Sequence, residues 1–162
     1  AGNSSSPEAR RKLELPGSPP EPVITKVFTY EAESDLQHAV GAAEEDGWSA
    51  NVADFDAGHI VYGPYTAEWT GDVGTAEFTM MIDIIDSDDM EIVILEVYDA
   101  TADEVLNSRS VTRGEFQMNY AYQTFGFDFS LFGKAGHLME VRAFWKDISY
   151  LKVDKVVITT SE

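Results

Sequence analysis

Glu31 and Glu33 stand one residue apart in "TYEAES" (29–34), at the opening of what reads as a first strand. Side chains at i and i+2 share a strand face, so two carboxylates would point the same way and repel unless something positive lies between them. The last strand supplies a third: Asp154 sits among Val153, Val156 and Val157 in "YLKVDKVVI". First and last strands of a sandwich commonly lie side by side, which would bring Asp154 to Glu31 and Glu33. Three carboxylates with backbone carbonyls make a hard, oxygen-lined site suited to calcium. The same spacing also fits two solvated edge glutamates and an aspartate paired with Lys152 or Lys155.

A second chemistry is that of aromatic rings beside polar groups. Asp46-Gly47 marks a tight turn, Trp48 follows directly, and Asn51, Asp54 and Asp56 come next. An exposed ring can stack on the apolar face of a sugar while amides, carboxylates and guanidinium groups take its hydroxyls. Equally, Trp48 could turn inward and anchor a long loop. "RAFWKDISY" (142–150) offers Arg142, Trp145 and Asp147, and "MNYAYQ" (118–123) offers Tyr120 and Tyr122 as cleft walls or as packing residues. Trp69, Phe125, Phe127 and Phe129 read as structural. His38, His59 and His137 are scattered without metal-site spacing, which argues against zinc.

Catalytic signatures are lacking. No Gly-x-Ser-x-Gly elbow, Gly-rich phosphate loop or His-Glu-x-x-His run occurs. Glu31 and Glu33 on one strand face leave no place for a sugar between them, as a glycosidase pair requires. A lyase would need a Tyr/His/Arg constellation, for which Arg142, Tyr150 and His137 can be assembled only by free choice.

The elements that must position these residues have period two. "TFGFDFSLF" (124–132), "AEFTMMIDII" (76–85), "MEIVILEVYDA" (90–100), "HLMEVRAFW" (137–145) and "YLKVDKVVIT" (150–159) alternate as half-buried strands, and 26–33, 59–65 and 104–112 are shorter ones. On 137–145, Met139, Val141, Ala143 and Trp145 form the core face, with Trp145 at its rim; Leu138, Glu140, Arg142 and Phe144 face outward. Residues 34–46 carry a weak helical pattern with Ser34 placed as an N-cap, but Gly41 interrupts it and a long loop is expected. Eight or nine strands in two antiparallel sheets, with scarcely any helix, mean an all-β sandwich, and a jelly roll is expected.

Composition sets the outer limits. The 162 residues suffice for one domain with a real core, and 44% of them are hydrophobic. A net charge of −18 repels phosphate backbones and anionic membranes, so neither nucleic acid nor membrane is an expected partner. There is no cysteine, hence no disulfide or thiolate metal site. Residues 1–22 hold five of the six prolines and no aromatic, reading as a flexible Pro/Ser-rich linker before a module of 23–162. Such a lead is what remains when one domain is cut from a larger secreted protein, so a secreted or extracellular location is expected.

"YEAE" at the first strand, a long Gly-rich loop and a final apolar-Asp-x-apolar-apolar-apolar strand ("VDKVVI") resemble the calcium-containing β-sandwich carbohydrate-binding modules of families 6, 35 and 36, family 35 foremost. The similarity covers roughly residues 28–159. It implies a galactose-binding-domain-like jelly roll with a structural calcium held by Glu31, Glu33 and Asp154. It also implies a sugar site at one end of the sandwich drawing on the last loop, where Trp145 and Asp147 fall. The expectation is then a non-catalytic, monomeric carbohydrate-binding module, covalently linked to a catalytic domain. It would take a polysaccharide or oligosaccharide through Trp48, Asn51, Tyr120, Tyr122, Arg142, Trp145 and Asp147. The alternatives are a calcium-stabilised protein-interaction or adhesion module and, behind it, a small lyase or hydrolase.

Overall fold

A computed structural model describes residues 23–162; the expected linker, 1–22, lies outside the described residues. Ten strands form in chain order: β1 (Thr25–Glu31), β2 (Ala42–Glu44), β3 (Gly47–Ala50), β4 (Gly58–Thr66), β5 (Val73–Ile82), β6 (Glu91–Asp99), β7 (Glu104–Thr112), β8 (Gln123–Ser130), β9 (Met139–Trp145) and β10 (Leu151–Ser161). One short 3-10 turn, Arg113–Glu115, is the only helical element among the described residues. A six-stranded sheet runs β2-β3-β10-β5-β8, with β1 also on β10, and a four-stranded sheet runs β4-β9-β6-β7. Every pairing is antiparallel. The all-β sandwich expected from the alternation is what forms, with ten strands rather than eight or nine.

Alternation explains the core. Phe78, Met80 and Ile82 of β5, Leu95 and Val97 of β6, Met139, Val141, Ala143 and Trp145 of β9, and Val156 and Ile158 of β10 are all buried. Burying each large side chain of this kind contributes about 1.5–3 kcal/mol, which fixes which face of each strand turns inward.

The extra strands come from the segment read as a loop. Residues 42–50 fold into a hairpin in which Ala42 faces Ser49 and Glu44 faces Gly47. Gly41 adopts φ +100 where a Cβ would strike the Trp48 indole, so only glycine fits between loop and hairpin. No helix forms after Ser34; residues 32–35 are a turn, with the Asp35 N–H donating to the Glu31 carbonyl.

Register sets the ends of the sandwich. Ala50, Leu151 and Ile82 lie in one row of the large sheet, and Gly58, Trp145 and Val93 in one row of the small sheet. The connections 51–57, 83–90, 113–122 and 146–150 therefore gather at one end.

Candidate ligand-binding face

The outer face of the four-stranded sheet concentrates the residues able to hold a ligand. Strand pairing places Tyr62, Arg142 and Glu96 in one cross-strand row, and Pro64, Glu140 and Tyr98 in the next. His59 and Phe144 form the row before them, their rings edge-on at 5.2 Å. A groove of about 310 Å³ opens here, lined by Ala39, His59, Tyr62, Tyr65, Glu140 and Arg142.

Each side chain has a local cause. The β4–β9 register shifts between Pro64 and Thr66, and this irregularity presents Tyr65, at φ +65, to solvent beside Glu140. Arg142 is fixed twice: its Nε and Nη2 donate to Glu96 Oε1 at 3.0 and 2.7 Å, and its guanidinium lies 3.8 Å over the Tyr98 ring. Glu140 is only 2% exposed. Burial raises its pKa, with Tyr65 and the Gly63 backbone as hydrogen-bond partners and Arg142 pulling the other way. Burial, with the charge of Arg142, lowers the pKa of His59, so its ring favours the neutral form that can both donate and accept.

One wall comes from elsewhere in the chain. Gln37 and Tyr62 exchange backbone hydrogen bonds at 2.8 and 2.9 Å, and the Ala39 N–H donates to the His59 carbonyl, so 37–39 lies along the edge of β4. Trp48 holds this wall. Its Nε1 donates to the Val40 carbonyl at 2.8 Å and its ring stacks on His38 at 3.5 Å, 6° from parallel. Trp48 is thus a half-buried strand residue of β3 that anchors a loop, rather than a ring displayed on a loop tip.

The remaining expected residues divide. Trp145 is a correction: it is fully buried, its Nε1 donates to the Ser149 carbonyl, and no ligand can stack on it. Rim position along the chain did not alter the inward direction that alternation gave it. Tyr120 stands 67% exposed at the loop end, where Asn51 and Asp147 also lie. Asn51 Oδ1 accepts from the Ala53 N–H, and Asp147 adopts φ +63 with Oδ1 buried and unpartnered. Tyr122 is drawn to the large sheet, its hydroxyl donating to Asp46 and burial pushing its pKa up to about 12. Arg142 stands apart from all of these, on the small sheet's outer face. Trp48 and Trp145 therefore flank no common cleft.

The acidic residues are partly brought together. β1 pairs β10 as expected, and the Ala32 N–H donates to the Asp154 carbonyl at 3.0 Å, where β10 is irregular between Val153 and Lys155. Glu33 is a correction in placement: it lies in the turn after β1, not on a strand face with Glu31. Its Oε1 is buried and has no hydrogen-bond partner. Burial raises the pKa of Glu31, with Asp154 and Glu33 adding repulsion; Asp154 is raised by burial and by Glu33 and Asp46, against Lys155. Among the described residues, no three His, Asp or Glu side chains are grouped closely enough to hold a metal ion as they stand. An orphaned carboxylate oxygen among mutually repelling acids is nevertheless the donor chemistry that a hard cation satisfies.

The sequence reading found the strand at 59–65 but not the face it forms. His59, Tyr62 and Tyr65 are three residues apart, which in a regular strand puts neighbours on opposite faces. Register shifts between His59 and Val61 and between Pro64 and Thr66 bring them to one side, and the order β4-β9-β6 brings them to Glu140 and Arg142.

No family model matches the chain, and no curated protein matches it. Solved structures do. The C-terminal family 6 carbohydrate-binding module of a marine laminarinase from Zobellia galactanivorans superposes with a TM-score of 0.53 at 15% identity, over 83% of this chain and all of that one. A carbohydrate-binding module of Cellvibrio mixtus lichenase 5A, in complex with cellotriose, gives 0.49 at 16% identity over 83% and 98%. The xylan-binding module CBM15 gives 0.45 at 13% identity over 85% and 95%. The likeness is one of fold. It places the chain among β-sandwiches of the kind that carbohydrate-binding modules adopt.

Proposed function

We propose that the chain is a non-catalytic carbohydrate-binding module and that its ligand lies on the outer face of the four-stranded sheet. The observation that carries this is the groove itself, in which Tyr62, Tyr65 and His59 border a fixed Glu140–Arg142–Glu96 array. Flat rings for the apolar faces of a pyranose, with rigid donors and acceptors for its hydroxyls, are what sugar recognition needs. The fold shared with the laminarinase module supports the reading. In it, Arg142 keeps its expected ligand role, Trp48 supports the site through the 37–40 wall, and Asn51, Tyr120, Tyr122 and Asp147 stand outside the groove.

The proposal extends to a structural calcium. Glu33 and Asp154, with Glu31 beside them, would hold the ion between the turn after β1 and the irregular part of β10, relieving the repulsion among them. Linkage of the module to a catalytic domain, in a secreted protein, completes the reading; attachment raises the effective concentration at an insoluble substrate.

The test is retention on insoluble and soluble polysaccharides, by pull-down and affinity electrophoresis, with sugar release measured in parallel. A single short-oligosaccharide site should bind in the micromolar-to-millimolar range, roughly −4 to −8 kcal/mol. No retention on any polysaccharide refutes the reading, and release of sugar from one that binds makes the chain an enzyme. One observation favours a second reading: Ile84, Met90, Met118 and Tyr120 are exposed at the loop end, as in an adhesion or protein-interaction module.

A further inference from the structure

The charges around the groove carry a statement about which glycans it accepts, one that rests on the carbohydrate-binding reading above. We infer that the groove takes neutral glycans and rejects uronate-containing ones, because the charge of Arg142 is already matched within the sheet.

A single arginine on a sugar-binding face would ordinarily suggest a carboxylate ligand, since a guanidinium fork fits a carboxylate with two parallel hydrogen bonds. Here the Nε/Nη2 edge of the fork is engaged and its charge is matched. Both Nε and Nη2 point at Glu96 Oε1, and the guanidinium plane is laid against Tyr98. Arg142 and Glu96 have side chains only 22% and 23% exposed, so the pair is screened weakly by solvent. A second carboxylate, Glu140, lies two residues along the same strand on the same face. The array Glu96–Arg142–Glu140 therefore holds two acids against one base, and His59 adds no positive charge in its neutral form.

A sugar carboxylate entering this array would meet an Arg142 whose charge Glu96 already matches while approaching a second acid, Glu140, or else would displace Glu96 and leave a partly buried acid without its partner. The overall charge of −18 repels an anionic polymer further. A neutral sugar meets none of this. Its hydroxyls can donate to Glu140 and pair with the neutral His59 ring, and the rings of Tyr62 and Tyr65 offer apolar surface beside them. Glu96 is then the specificity-determining residue, acting by occupying Arg142.

The experiment compares retention of the chain on mixed-linkage β-glucan, arabinoxylan and galactomannan with retention on polygalacturonate and alginate. It is run without added divalent cation, so that nothing bridges the acidic groups while the module keeps any ion it already holds. The expected result is binding to at least one neutral polymer and at least about tenfold weaker binding to both acidic ones. Glu96→Gln, which leaves the charge of Arg142 unmatched while keeping the side-chain volume, should gain binding to polygalacturonate, and the gain should vanish as salt is raised. Wild-type binding to an acidic polymer as tight as to any neutral one overturns the inference while leaving the carbohydrate-binding reading intact; absence of binding to every polymer overturns both. Should Glu96→Gln fail to fold, the salt dependence of the wild type decides. Binding that is flat with salt supports neutral recognition, and binding that collapses with salt refutes it.

Discussion

The outer face of the small sheet and the loop end of the sandwich were both places to look for a ligand, and they are built in opposite ways. At the loop end the polar groups are turned inward upon one another. Arg113, 5% exposed, donates to Asp88, to the Ile84 carbonyl and to Ser149 Oγ, tying the 83–90, 113–122 and 146–150 connections together. Its indole, Trp145, is consumed by the core. On the sheet face the polar groups are fixed from behind, and the rings of Tyr62 and Tyr65 border open space. A site needs groups that are held but not used up, and the sheet face has more of them.

The largest test of that contrast is Trp145→Ala. If Trp145 is a core residue, truncation leaves a cavity and costs about 3–5 kcal/mol, a large share of the roughly 5–15 kcal/mol that holds a domain folded. Urea denaturation measures it. A variant that keeps its midpoint yet loses polysaccharide retention would return Trp145 to the loop-end site and break the comparison.

Trp48→Ala should have the next largest effect and should act on both stability and binding. It removes the stack on His38 and the hydrogen bond to the Val40 carbonyl, for a loss of roughly 2–3 kcal/mol. The 37–40 wall then loses its anchor beside Ala39 and Tyr62. Hydrogen exchange should accelerate at Gln37, Ala39 and Val40 specifically, with retention on polysaccharide weakened in parallel. Equal protection of that segment in variant and wild type would leave Trp48 as an ordinary packing residue.

Tyr65→Ala sharpens the same contrast from the other side. The residue is 45% exposed, so the stability loss should stay near the roughly 1 kcal/mol of its hydrogen bond to Glu140, while loss of one stacking surface weakens glycan binding by about tenfold. Tyr120→Ala, at the loop end, should leave both unchanged. The reverse outcome would move the ligand to the loop end.

How much of this the sequence disclosed follows from the range of each signal. Alternation is local, so the strands and the inward set Met139, Val141, Ala143 and Trp145 could be read directly, as could the outward set Glu140, Arg142 and Phe144. The side-by-side placement of β1 and β10 followed from sandwich topology. The groove needed the order β4-β9-β6, a matter of which strands pair over long separations and one that no local pattern encodes. Residues 34–46, expected as a long loop because Gly41 interrupts a weak helical pattern, hid β2, the first strand of the hairpin that β3 completes, for a related reason. Leu36, Ala39, Val40 and Ala43 have helical spacing, but the segment is held by Trp48 and by the edge of β4, so tertiary contacts override a weak local preference.

The smallest predicted effect concerns the acids beside the turn after β1, and its sign depends on the ion. Glu31 and Asp154 have pKa values raised by burial and by neighbouring carboxylates, so the folded state binds protons more readily than the unfolded chain. For such groups stability is greatest where both states are protonated and falls as pH rises from the ordinary carboxylate value through the folded one. In EDTA, Asp154→Asn removes one repelling charge and should raise the melting temperature at pH 7 by about 1–2 °C, with the advantage gone near pH 4. In calcium the order should invert, since the ion binds only the ionised wild-type carboxylates and stabilises what it binds. Calcium should therefore raise the wild-type melting temperature at pH 7, raise it far less at pH 4, and leave Asp154→Asn nearly unmoved at both. Scanning calorimetry at the two pH values, with and without the ion, reads all of these. A wild type that ignores calcium while Asp154→Asn still gains stability would mean the acids repel with no ion between them, and the structural metal would be ruled out with the pKa argument intact.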